Sequence, residues 1–192
     1  MAQTSTTLIS ARSHITSITG TDISLSATAG VYTISATSTV LTGAGKLAVG
    51  DLITVSGSAS NNSTFTVSTV VSTTELTVAQ VVSSENADGS STITLDHVGF
   101  VSDKAKGDGY YSQPDGVHTV AYQVANDFNA NATIKMQGTL ATTPTEDDWF
   151  DIANTTFTAD GSTVTSSYNF TGNYVWVRSK TQSLTAGTTN SI

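Results

Sequence analysis

The chain has 192 residues, a net charge of −8 and no cysteine. That excludes a disulfide framework, thiolate zinc sites and cysteine nucleophiles together. The seven basic residues are dispersed along the sequence, too few for the basic patch that a phosphate backbone requires, so no nucleic-acid partner is expected.

Serine and threonine make up roughly a third of the chain, yet charged residues are only 11%. Disordered chains combine low hydrophobicity with high charge, and this one does not. Thr, Val and Ile alternate in short runs, as expected for strands with a hydroxyl-covered outer face. The fold class expected is all-β: two small antiparallel β-modules, a barrel or sandwich followed by a jelly-roll-like sandwich, with an N-terminal extended arm. The division rests on the aromatic residues. Of fourteen, only Tyr32 and Phe65 precede residue 98. The first module must therefore build its core from aliphatic side chains, and the second has the larger ones.

In chain order, residues 1–30 alternate loosely and read as an extended arm or edge strands. The arm from Ala2 to about Ser26 is the candidate for reaching an adjacent subunit. No basic region followed by an apolar stretch opens the chain, so no secretory signal is expected. No apolar run approaches the ~18–20 residues needed to span a bilayer, so no membrane partner is expected. The module at 31–97 is read from strands at 31–36, 50–57, 64–71, 75–80 and 91–96, with a hairpin across Ser72-Thr-Thr74.

Within it, Gly50-Asp-Leu-Ile-Thr-Val-Ser-Gly57 followed by Asn61-Asn62-Ser-Thr-Phe-Thr-Val67 resembles a small β-module that recurs in structural proteins of tailed phages. That module commonly has glycine where Ser63-Thr64 stand here. A polar, turn-rich link from Val98 to Gly116 leads to a module at 107–192. Its strands are expected at 117–124, 133–139, 150–153, 164–170 and 174–180, with another near Asn190. One helical turn is expected around Pro144-Thr-Glu-Asp-Asp-Trp149. The residues His118-Thr-Val-Ala-Tyr122, Met136-Gln-Gly-Thr-Leu-Ala141, Pro144 to Phe150 and Thr171-Gly-Asn-Tyr-Val-Trp-Val-Arg178 resemble a module of structural proteins in T4-like cyanophages and other marine phages. Their order is also similar to a galactose-binding-like jelly roll.

Three groups of side chains are candidates for chemistry. Glu146, Asp147, Asp148 and Asp151 form the densest carboxylate cluster, and Asp103, Asp108 and Asp115 lie in the link. Either could supply oxygens to calcium. Acids at a helix start and Asp-Gly turn chemistry explain them as well, and no metal or other cofactor is assigned. The histidines are His14, His97 and His118. No nucleophile elbow or phosphate loop accompanies them, so no catalytic residue is assigned. At Asp96-His97, strand alternation sends the two side chains to opposite faces.

The ligand or interface candidates are the aromatics Tyr110, Tyr111, Trp149, Tyr174 and Trp176. Alternation places Tyr174 and Trp176 on one face of their strand and Val175 and Val177 on the other. Packing in a core or subunit interface competes with stacking on a sugar. The phage resemblance implies a non-enzymatic, homo-oligomeric virion component, assembled in the host cytoplasm with other virion proteins as partners. Exterior head decoration is favoured over a tail or baseplate role because the chain is short and lacks a fibre-like repeat. The alternative is a carbohydrate-binding adhesion module that recognises host surface glycans.

Overall fold

The computed structural model describes residues 5–112, 116–125, 127–162 and 164–192. The protein is all-β and antiparallel, with no α-helix and no closed barrel among the described residues. It forms two compact units, one of Ile15–Phe100 and one that joins Met1–His14 to Val101–Ile192. The first strand, β1 (Arg12–Ser13), belongs to the second of these.

The Ile15–Phe100 unit contains β2 (Ile18–Gly20), β3 (Ile23–Thr28), β4 (Val31–Ala36), β5 (Asp51–Ser56), β6 (Thr64–Ser72), β7 (Glu75–Val78) and β8 (Ile93–Val101). Their spatial order is β8-β5-β6-β7-β4-β3, with β2 also paired to β8. The period-two pattern is plain in β3, where Ile23 and Leu25 are buried and the serines between them are not. Every strand from β2 to β8 sends aliphatic side chains into one core. Ile34, Ile53 and Leu76 are fully enclosed in it, and Phe65 is the buried aromatic of this cluster. On the outer side, Thr69 and Thr77 join hydroxyls across β6 and β7 at 2.7 Å, and Thr54 and Thr64 do so across β5 and β6 at 3.0 Å. The ladder ends at β2 and β3, consecutive strands linked by Thr21-Asp22 and not paired with each other, so the barrel alternative is not realised.

The other unit continues with β9 (Ala105–Lys106), β10 (Val117–Val124), β11 (Thr133–Thr139), β12 (Phe150–Asp151), β13 (Phe157–Thr158), β14 (Val164–Thr171), β15 (Trp176–Gln182) and β16 (Thr188–Ser191). One of its sheets runs β1-β16-β10-β14. In the other, β11 pairs β15, β12 and β13, and β15 also pairs β9. Val120, Tyr122, Val124 and Phe170 from the first sheet are buried, as are Ile134, Met136 and Val177 from the second. The Tyr122 ring meets Phe157, and its hydroxyl donates to the Thr155 carbonyl at 2.8 Å. This is the arrangement of a β-sandwich.

Strands expected at 31–36, 117–124 and 133–139 have those bounds. Other expected strands keep their places with ends moved by one or two residues, and two expectations differ more. β8 continues to Val101 instead of stopping at Asp96, because a bulge opposite Leu52 and Ile53 absorbs Val98 and lets Phe100 pair with Asp51. Within residues 5–30 the chain forms edge strands, one of the two expected alternatives, in place of a free arm. β1 pairs β16, Leu8 and Ile9 bond to Ile192, and β3 pairs β4. Residues 2–4 of the expected arm lie outside the described residues, as do Gln113, Pro114 and Asp115 of the expected link.

Candidate functional site

The five candidate aromatics all lie in the C-terminal unit, and the structure sorts them into three places. Tyr110 and Tyr111 sit on a short 3-10 turn, Asp108–Tyr111, and are 42% and 56% exposed. The turn lies next to the start of β15, since Gly109 N–H donates to the Tyr174 carbonyl at 2.8 Å. This brings the Tyr110 ring to 4.8 Å from Trp176 and 5.2 Å from Tyr111. Two lysines complete the group. The Lys104 ammonium lies 4.5 Å from the Trp176 ring centre, and Lys106 lies 4.2 Å from that of Tyr110. Trp176 Nε1 donates to the Thr142 carbonyl at 3.0 Å. Tyr110, Tyr111 and Trp176 are therefore one cation-bearing aromatic surface. The lysines were visible in the sequence only as scattered charges, although Lys104 and Lys106 stand two apart just before Tyr110.

Trp149 lies instead over Arg178, 4.3 Å from the guanidinium carbon. Arg178 is buried and donates twice to Glu146, at 2.8 and 2.9 Å, and once to Gln137 at 2.9 Å. A planar fork suits this bidentate contact. The expected helical turn is a 3-10 turn at Glu146–Asp148. Its Asp148 carboxylate accepts from the Thr145 N–H and hydroxyl, which hold that acid below the ordinary carboxylate range. Desolvation raises the Asp151 pKa, but contacts with Lys135, at 2.5 Å, and Gln137, at 2.9 Å, outweigh it and hold the carboxyl below its ordinary range. Glu146, Asp148 and Asp151 are thus each committed to a different structural contact. Among the described residues, no group of three or more His, Asp or Glu side chains is placed to hold a metal ion. Asp108 accepts from Gly116 N–H at 2.7 Å and faces His118 at 3.5 Å. Asp115, the third carboxylate of that candidate, lies outside the described residues.

Tyr174 departs from the expected alternation. β15 begins at Trp176, so Tyr174 precedes the strand. Its ring lies against Gly138, whose Cβ would stand 2.6 Å from Tyr174 Cδ1. Gly138 pairs with Val177, so Tyr174 occupies the Val177 side of the sheet, opposite Trp176. There it meets Phe150, Phe170 and His118. The empty side of Gly138 decides this, and strand periodicity alone does not reveal it.

In the Ile15–Phe100 unit, the asparagine-containing loop is built around one carboxylate. Glu85 accepts from the Ser58 hydroxyl at 2.5 Å, Ala59 N–H at 2.9 Å and Asn61 Nδ2 at 3.1 Å. These bonds, led by Ser58, lower its pKa against a smaller opposing effect of burial. Asn61 also exchanges two hydrogen bonds with the Ser83 backbone. Gly57 opens the loop at φ 79°, where an added Cβ would collide with the Thr92 carbonyl. At Asp96-His97 the two side chains do diverge. Asp96 accepts from Ser17, and His97 is buried against Asp51, Nε2 to Oδ1 at 3.2 Å. Ile15 N–H donates to His97 Nδ1, which places the imidazole proton on Nε2.

The chain matches no protein-family model, no curated protein and no solved structure.

Proposed function

We propose that this chain is a non-enzymatic structural component of a tailed-phage virion, mounted as a homo-oligomer on the outside of the head. The observation that carries the reading is what the phage-like motifs do. Gly57, Asn61 and Phe65 form a turn, a loop lock and a core anchor. Trp176-Val-Arg178 supplies a surface aromatic, a core side chain and the clamp on the Glu146 turn. These motifs build strands and loops, and their polar atoms are spent on internal contacts. A stable scaffold with an exposed aromatic and lysine surface suits a particle component that has to touch neighbours. Cryo-electron microscopy of the particle tests this. Density for the chain at regular head positions is the expected result; density confined to the tail or baseplate replaces the placement, and absence from the particle overturns the reading.

A second reading, glycan binding, draws on the exposure of Tyr110 and Tyr111 beside Lys104 and Lys106. Against it, the Tyr110 and Trp176 rings already have each other and a lysine ammonium as neighbours, leaving less ring face for a sugar. Glycan-array binding that disappears in Tyr111→Ala would favour it.

A further inference from the structure

β14 ends the sheet β1-β16-β10-β14. Each residue from Val164 to Thr171 pairs with β10 in one unbroken register, Val164 opposite Val124 through Thr171 opposite Val117. In an antiparallel ladder, alternate residues direct both N–H and C=O to the same edge. Alternate residues of β14 therefore point these groups away from β10, where no other strand meets them among the described residues.

An open edge is a template for another chain, and proteins blunt such edges with short strands, charges, prolines, bulges or a covering segment. The other strands that end a ladder in this molecule are blunted. β1, β9, β12 and β13 are two residues long, and β2 is three. β1, β9 and β12 also carry Arg12, Lys106 and Asp151. β3 is longer, but Leu25 exchanges backbone hydrogen bonds with Glu85 at 2.9 and 2.8 Å, and Ser84 accepts from Ala27 N–H at 3.1 Å. The part of β10 that β16 does not reach faces Ser5–Leu8 of the same chain across a cavity. β14 has none of these devices. It is eight residues long and its register has no bulge. No charged residue and no proline stands between Asp160 and Arg178.

The symmetry and charge of this edge identify its partner. Thr165, Ser167 and Asn169 are exposed on one face of β14. On the other face Phe170 is buried, and the Tyr168 ring lies 5.4 Å from that of Tyr122. A two-fold axis normal to the sheet lays β14 antiparallel on a second β14 and keeps each face beside its like. The outward N–H and C=O groups then match, and exposed Thr, Ser and Asn side chains become cross-strand neighbours. Thr119 and Asn169 already make such a tie between β10 and β14, at 2.8 Å. Two copies of net charge −8 repel each other, so a neutral strand is the surface on which they can meet.

We infer that β14 is a dimer edge, at which two copies pair their Val164–Thr171 strands antiparallel across a two-fold axis and join two sheets into one. The inference rests on the homo-oligomer proposed above and names the surface that makes it.

The experiment measures sedimentation and amide hydrogen exchange of the full chain across a concentration series, and repeats both with Ser167→Lys and Ser167→Thr. Registers that use the whole strand centre on Ser167 or Tyr168, so the two lysines of Ser167→Lys stand directly opposite or diagonal to each other, where like charges repel. The expected result is a dimer whose formation slows exchange at least tenfold at alternate residues of Val164–Thr171. Ser167→Lys should be monomeric with unchanged tryptophan fluorescence, and Ser167→Thr should remain a dimer. Self-association with unchanged exchange in β14, or undiminished in Ser167→Lys, overturns the β14 edge and leaves the homo-oligomer standing. A monomer at every concentration overturns both. Virion residence is decided separately, by the particle density.

Discussion

The two units reach all-β folds with different materials. The Ile15–Phe100 unit has a mainly aliphatic core cluster with Phe65 as its buried aromatic member and Phe100 buried near the end of β8, and its loops are tied by carboxylates that gather Ser and Thr hydroxyls. Asp22 accepts from Thr37, Ser38 and Thr39, Glu85 organises the Ser58–Asn61 loop, and Asp88 holds Ser90 and Ser91. The C-terminal unit relies on large rings. Tyr122 is enclosed in the core, Tyr174 lies on Gly138, and Trp149 stacks on a buried arginine. The aromatic-poor unit adds many short polar ties, whereas the rings of the other unit pack on a glycine, on an arginine and on one another.

That contrast can be broken experimentally, and core truncation should do so most strongly. Phe65→Ala is expected to cost the Ile15–Phe100 unit about 3–5 kcal/mol, because the aliphatic side chains around it, held in paired strands, close the cavity only in part. Chemical denaturation followed by amide exchange would read the loss and locate it. An effect below about 1 kcal/mol would show that the aliphatic core repacks freely.

Arg178→Ala comes next. It leaves Glu146 without its cation and Trp149 without its stacking partner, at an expected cost of about 2–3 kcal/mol, below the range for fully buried pairs because Glu146 is partly exposed. Both tryptophans are in the C-terminal unit, so intrinsic tryptophan fluorescence reports on that unit alone. A double-mutant cycle with Glu146→Gln separates the ion pair from the stacking.

Acid should weaken the loops of the Ile15–Phe100 unit. The Thr39 hydroxyl, foremost among several donors, holds Asp22 well below the ordinary carboxylate range, Ser58 does so for Glu85, and Ser91 brings Asp88 down to about 2. A lowered folded pKa means the charged form is favoured by folding. The contribution is complete above the unfolded values, 3.8 for Asp and 4.5 for Glu, and is lost as pH falls through the lowered ones. Loss of amide protection at Ser38, Thr39, Ala59 and Ser91 below pH 4.5 is the expected signature, and protection that persists unchanged to pH 2 would refute it.

The smallest effect belongs to the surface cations. Lys106→Ala should cost only about 0.5–1 kcal/mol, as expected for an exposed cation–ring contact. Thermal unfolding followed by fluorescence would detect it, and a loss above about 2 kcal/mol would mean that the lysine positions the 108–111 turn as well.

Much of this architecture was legible in residue order. The β-branched and polar alternation of Val31–Ala36 and Val117–Val124 marks strands because alternate residues must face water and core in turn. The aromatic imbalance across residue 98 lies close to the division at Phe100 and Val101, but nothing in it signalled the second division, which joins Met1–His14 to the C-terminal part. The turn at Glu146–Asp148 was signalled by threonine, proline and acids. The candidate surface was only half legible. Tyr110, Tyr111 and Trp176 could be singled out as large rings, but their convergence depends on a 3-10 turn hydrogen-bonded to the segment before β15.

What the sequence by itself determined is local: strand periodicity, turn chemistry and the absence of cysteine chemistry, each set by neighbours a few residues apart. Contacts between residues far apart were decided only by the tertiary structure. Trp149 lies on Arg178, Tyr174 crosses to the Val177 side, His97 meets Asp51, and β16 pairs only Gln123 and Val124 of β10. The physical reason is that a side chain's face follows from local geometry, whereas its partner depends on strand pairing, bulges and empty glycine positions elsewhere in the chain.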